Sequence, residues 1–182
     1  MRVIAGSARG TRLAPVPRGI RPISDMAREG LFASLGTLVE GARWLDLYAG
    51  TGAAGIEALS RGASSATFVD RDPGAIATMR DNLRRVGFEP SATVVRAAVG
   101  RFLGRNPEPF DVVLLDPPYA EPTADVTADL AALDAGWLAS EGWTVIVTRG
   151  HKSPLPAVPL HWGIRRRLRY GDSLLIQYRE ER

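Results

Sequence analysis

Between Arg43 and Thr148 the chain alternates between two rhythms. Short apolar runs rich in β-branched residues are separated by stretches whose apolar residues recur every third or fourth position. The runs 43–48, 67–70, 93–96, 112–116 and 143–148 read as strands. Between them the spacing predicts helices. One runs from the Gly50–Gly55 turn to about Arg61 and stops at Gly62. A second is capped by Asp72, opened by Pro73 and carries Ile76, Met79, Leu83 and Val86 on one face up to Gly87. Two more span residues 99–103 and 123–133. Strands alternating with helices of these lengths predict a parallel sheet covered on both faces.

The two ends break the alternation. Residues 2–5 and 12–16 flank the turn-prone Gly6–Gly10, which predicts a small β-hairpin arm over residues 1–22, followed by a core domain over 23–182. Ser24 or Asp25 caps a helix to about Leu35, with Ala27, Leu31 and Leu35 as its buried stripe and Arg28 off it. After the proline-rich stretch 154–159, residues 164–170 and 173–178 are strand-like and joined by Gly171-Asp172, a hairpin turn.

Composition adds little to the fold but bears on partners. The 182 residues suffice for one well-cored domain with a short appendage. The absence of cysteine excludes disulfides and thiolate metal sites. No apolar run approaches the ~18 residues of a membrane span, and the first residues lack the apolar core of a secretory signal, so the expectation is a cytosolic protein with no membrane contact. The net charge of +3 is unevenly placed. Arginines 2, 9, 12, 18, 21 and 28 crowd the start, and Arg165, Arg166, Arg167 and Arg169 the end. Such clustering points to an anionic polymer. Arg9, Arg12, Arg21 and Arg28 are the candidate phosphate contacts.

Candidate chemistry sits where two strands end. The run 112–115 opens into Asp116-Pro117-Pro118-Tyr119. In open α/β sheets ligands bind beyond the carboxyl ends of the strands. An ionised Asp116 only accepts hydrogen bonds, which suits an N–H donor such as an exocyclic amine. The prolines keep the loop extended and stiff, so the Pro117 carbonyl can serve as a second acceptor. Tyr119 offers a flat face for a planar base. Taken alone the four residues would be a strand-ending turn.

The other candidate is Asp46-Leu47-Tyr48-Ala49-Gly50-Thr51-Gly52, running on to Gly55. Gly50, Gly52 and Gly55 match the dinucleotide fingerprint, and Asp70 follows about 20 residues on, where an NAD ribose acid would stand. Asp46 argues against NAD, since a carboxylate there repels a pyrophosphate and attracts an ammonium. S-adenosylmethionine carries an ammonium, a sulfonium and an unphosphorylated adenosine, and suits these residues better.

These motifs resemble a class I S-adenosylmethionine-dependent methyltransferase of the amino-group branch. More closely, the chain is similar to the RsmD family, bacterial 16S ribosomal RNA guanine-N2 methyltransferases. The likeness rests on Arg2-Val3-Ile4-Ala5-Gly6, Arg9-Gly10, Arg21-Pro22, Arg28-Glu29, the Asp46–Gly52 segment, Glu57-Ala58-Leu59-Ser60-Arg61-Gly62-Ala63 and Asp111–Tyr119. It implies a Rossmann-like α/β fold with a seven-stranded, mostly parallel sheet, a terminal antiparallel hairpin and the arm. It implies that Asp46 holds the methionine amino group, that Gly50 to Gly52 lie against the cofactor with Tyr48 and Thr51 beside them, and that Asp70 takes the ribose. Ala97-Ala98 stands where wider relatives carry an adenine-binding acid or amide, which shifts adenine recognition to backbone. Asp116, Pro117, Pro118 and Tyr119 would be catalytic, S-adenosylhomocysteine the product, no metal required, and the partner 16S ribosomal RNA, met free or in a small subunit by a monomer. The same tetrapeptide also serves DNA adenine-N6 and protein glutamine methyltransferases. An NAD oxidoreductase and a non-catalytic RNA-binding module are the remaining alternatives.

Overall fold

The computed structural model describes residues 1–181. Seven strands form one sheet in the order β3-β2-β1-β4-β5-β7-β6. They are β1 (Arg43–Leu47), β2 (Ser65–Asp70), β3 (Ala92–Arg96), β4 (Val112–Leu115), β5 (Thr144–Gly150), β6 (Trp162–Tyr170) and β7 (Ser173–Glu180). The pairings among β1 to β5 are parallel, and β7 runs antiparallel between β5 and β6. The helices are α1 (Asp25–Leu35), α2 (Ala53–Ser60), α3 (Pro73–Val86), α4 (Val99–Leu103) and α5 (Thr123–Leu133). Each matches its sequence expectation closely. Ser24 caps α1 through the Ala27 N–H, Asp72 caps α3 through the Ala75 N–H, and Gly87 ends α3 with a φ of 74°. Among the described residues no helix is long and apolar enough to cross a membrane.

Strand alternation divides the core between the two faces. Trp44, Phe68, Val112, Leu114 and Ile146 pack with α1, α2 and α3, whereas Leu45, Leu47, Val113, Leu115, Val145 and Val147 pack with α4 and α5. Register then places the polar strand ends. Leu114 pairs with Ile146 and with Asp46, so Asp116 and Thr148, two residues further along adjacent strands, emerge side by side on one face.

The expected hairpin arm has a single antiparallel bridge, between Arg2 and Arg12. Backbone hydrogen bonds also join its two limbs, from Val3 to the Thr11 carbonyl at 3.0 Å and from Leu13 to the Met1 carbonyl at 3.0 Å, and groups from the core hold it in place. Glu57, fully buried on α2, accepts the N–H groups of Ile4 and Ala5 at 2.8 and 2.9 Å. The Ser60 hydroxyl accepts the Ala8 N–H at 2.9 Å, and its carbonyl accepts the Ser7 N–H at 2.8 Å. Gly6 is required here: its φ is +80°, and a Cβ would lie 1.8 Å from the Ser60 carbonyl oxygen. Val3, Ala8 and Leu13 join the same core as α1 and α2.

Arg28 departs from expectation. It is 0% exposed, donates to the Arg2 carbonyl at 2.6 Å and to Asp25 at 3.1 Å, and lies 3.9 Å from Glu57. Burial lowers its pKa, opposed by Asp25 and Glu57. Its guanidinium ties the arm to α1 and is closed to an RNA phosphate. The helical pattern misplaced it because the docked arm, invisible to periodicity, covers that face.

Candidate active site

The carboxyl ends of β1, β2, β4 and β5 surround a cavity of about 700 Å³. Its wall includes Asp46, Tyr48, Gly50, Thr51, Asp70, Asp116, Pro117, Pro118 and Tyr119. Gly52 is absent from that wall. A Cβ on Gly52 would meet Met79 at 2.8 Å and Phe68 at 3.4 Å, so this glycine, with a φ of 76°, serves helix-to-sheet packing. Gly55 has the same duty against Phe68.

Asp46 is 1% exposed, and its Oδ2 accepts the Gly55 N–H at 2.9 Å. Gly55 is the third residue of α2, so the carboxylate occupies the helix start that a dinucleotide pyrophosphate would need. Burial pushes the Asp46 carboxyl well above the usual range, the Gly55 N–H opposes this, and Asp116 and Asp70 add to it. Such a group gains from an incoming cation. Asp70 accepts the N–H groups of Gly50 at 2.8 Å and Asp72 at 2.9 Å, which fixes the glycine turn to the β2 tip and leaves acceptor sites on the carboxylate.

Tyr48 is the one non-glycine residue among those described with a positive φ, 59°. Left-handed backbone costs about 1–2 kcal/mol here and turns the chain sharply from β1 into the glycine turn. Its hydroxyl donates to Asp129 at 2.6 Å, anchoring the ring to α5. Burial raises the Tyr48 pKa first, with the bond to Asp129 adding to it.

At the β4 tip, the Asp116 N–H donates to the Leu47 carbonyl at 3.2 Å, and Oδ1 accepts the Thr148 hydroxyl. Burial pushes the Asp116 carboxyl up to about 6; Thr148 and the more distant Arg21 pull against that rise. Tyr119 stands 38% exposed, with its hydroxyl 2.7 Å from Ser173 Oγ on β7. The hydroxyl therefore braces the ring. Arg21, expected to reach phosphates beside the arm, has its guanidinium 4.6 Å over the Tyr119 ring. Residues 18–23 form a strap along the cavity wall, and Ile20 would lie 3.4 Å from a Cβ on Gly50. Arg9 and Arg12 are exposed on the arm, away from the cavity wall.

Thr148, Ser173 and Asp129 were missed by sequence reasoning. Thr148 had a usable signal, as a hydroxyl at the carboxyl end of a central strand. Ala97 and Ala98 line the cavity as anticipated, and Asp129 of α5 stands on the same wall. Among the described residues no group of three or more His, Cys, Asp or Glu is placed to hold a metal ion.

A sheet of this order, with acids at two adjacent strand tips around a glycine turn and Asp-Pro-Pro-Tyr on the next strand, defines a Rossmann-like methyltransferase. The chain belongs to the RsmD family, whose model, described as Conserved hypothetical protein 95, matches residues 1–179. Ribosomal RNA small subunit methyltransferase D of Escherichia coli strain K12 is 36% identical over 183 residues, covering 100% of this chain and 90% of that protein. YlbH of Bacillus subtilis strain 168 is 35% identical over 184 residues and 99% of each chain. The solved yhhF structure from Escherichia coli matches with a TM-score of 0.89 and 33% identity, over 100% of this chain and 98% of that one.

Proposed function

We propose that the protein transfers a methyl group from S-adenosylmethionine to the exocyclic N2 amine of a guanine in 16S ribosomal RNA. The observation that carries this is the Asp116 carboxylate, held through one oxygen by Thr148 at the mouth of the cavity that Asp46 and Asp70 also line. The residues fit the cofactor: a buried carboxylate with one N–H partner suits an ammonium, Asp70 has acceptor capacity left for ribose hydroxyls, and the blocked start of α2 disfavours a pyrophosphate. When bound, the cofactor supplies an electrophilic methyl group on a sulfonium centre. The small-subunit RNA substrate follows from the names of the full-length relatives.

The chain's own contribution is orientation and preorganised electrostatics. A guanine N2 lone pair is delocalised into its ring and is a weak nucleophile. The free oxygen of Asp116 and the Pro117 carbonyl accept the two amine protons and turn that lone pair across the cavity. Tyr119, braced by Ser173, carries the base once Arg21 gives way. The surplus proton on the methylated amine passes to Asp116 or water, so no strong base is needed. The test is to offer total RNA, DNA and protein from a strain lacking the gene to purified protein with tritiated S-adenosylmethionine. Label confined to small-subunit RNA is expected; label confined to DNA or protein overturns the reading.

A further inference from the structure

We infer that the open edge of the sheet, strand β6, is a track for the RNA backbone leading to the active-site mouth. This rests on the RNA-methylation reading and extends it to a surface outside the arm. Residues 165–169 hold four arginines around Leu168 and no acid. Arg166, Arg167 and Arg169 are exposed, and among the described residues none of the four has a carboxylate within ion-pair distance. Register places Arg167 and Arg169 opposite Ile176 and Leu174 on one face of the strand, with Arg166 on the other. At about 3.3 Å per residue the cluster spans roughly 13 Å, enough for a few nucleotides. The register shift between Ile164 and Arg166 is a bulge that bends this edge.

Position ties the track to the chemistry. Strand β6 ends at Tyr170, and its turn delivers Ser173, which holds the Tyr119 hydroxyl. A strand with its target base on Tyr119 has flanking phosphates beside Arg169. Edge strands do carry charges, Lys above all, to repel other sheets, yet all four charges here are arginine. Planar arginine forks also suit phosphate oxygens. The test compares Arg167→Ala/Arg169→Ala with Arg167→Lys/Arg169→Lys and the parent. Binding of a labelled small-subunit RNA fragment is followed by anisotropy across a salt series, and methylation is followed separately with tritiated S-adenosylmethionine. The Ala pair should bind about tenfold more weakly, with a salt slope shallower by about 1.4, at about 0.7 per single-strand contact. The Lys pair should keep the parental slope, and melting and S-adenosylmethionine affinity should match the parent in both. An Ala pair with parental affinity and slope overturns the track. A parent that binds RNA with the expected slope difference but never methylates it overturns the methylation reading and leaves the track standing.

Discussion

At the scale of single residues, the proposed chemistry rests on Asp116 and on the Thr148 hydroxyl that it accepts. Removing the acceptor in Asp116→Ala should cut turnover at least ~100-fold, the scale for losing a preorganised electrostatic partner. S-adenosylmethionine affinity by calorimetry should change little. Stability should not suffer either. The folded carboxyl titrates near 6, above its ordinary value of 3.8, so its proton stabilises the fold below that ordinary range. That contribution is lost as pH rises through about 6, and at neutral pH the buried charge is a cost that alanine removes. The acid limb of kcat should accordingly fall near pH 6 in the parent. Thr148→Val deletes the hydroxyl that favours the ionised form, so it should move that limb upward and Thr148→Ser should restore it; a limb that stays put in the Val variant would make Thr148 a mere packing residue. Asp116 was legible in the sequence because its motif is contiguous. The pairing of Thr148 with Asp116 was not, since it depends on the β4-β5 register, and Arg28 was misread because it answers to a tertiary contact of the arm.

At the scale of elements, the informative pair is the arm and α2. Local pattern predicted every α-helix and strand of the core, because caps, glycine stops and apolar spacing agree with one another there, but not the short 3-10 turns at Gly36–Val39 and Glu89–Ser91. It could not show why Glu57 and Ser60 sit on α2, since both face a segment more than fifty residues away. The structure explains them as the arm's dock. Asn82 of α3 extends that dock, accepting the Ala14 N–H at 2.7 Å and donating to the Thr51 carbonyl at 2.9 Å, which links the arm to the glycine turn. Glu57→Ala would leave Arg28 buried beside an empty site and strip two N–H groups of their acceptor. A loss of roughly 3–5 kcal/mol is expected, as when one partner of a buried pair is removed, and chemical denaturation measures it. Hydrogen exchange should quicken first at Ile4 and Ala5. A loss below about 1 kcal/mol, the scale of a surface pair, would return the arm to a solvated appendage.

At the scale of the whole molecule, two cationic segments lie at the cavity end of the sheet, residues 18–23 with Arg21 and the end of β6 with Arg169, while Arg9 and Arg12 stand away from the cavity wall on the arm. The sheet brings them together by placing its parallel strand tips, the β6-β7 turn and the strap at the same end. Sequence alone could sort these arginines only into an early and a late cluster, because the placement of residues 18–23 against the cavity depends on tertiary contacts. The arrangement suits a polymer that extends beyond the reacting base on both sides. The most direct measurement is the identity of the modified nucleoside. Small-subunit RNA from a strain lacking the gene is treated with purified protein and S-adenosylmethionine, digested to nucleosides and resolved by mass spectrometry. N2-methylguanosine, present with the parent and absent with Asp116→Ala, is the expected product; N6-methyladenosine, or no methylated nucleoside from a protein that binds the cofactor, would contradict the account.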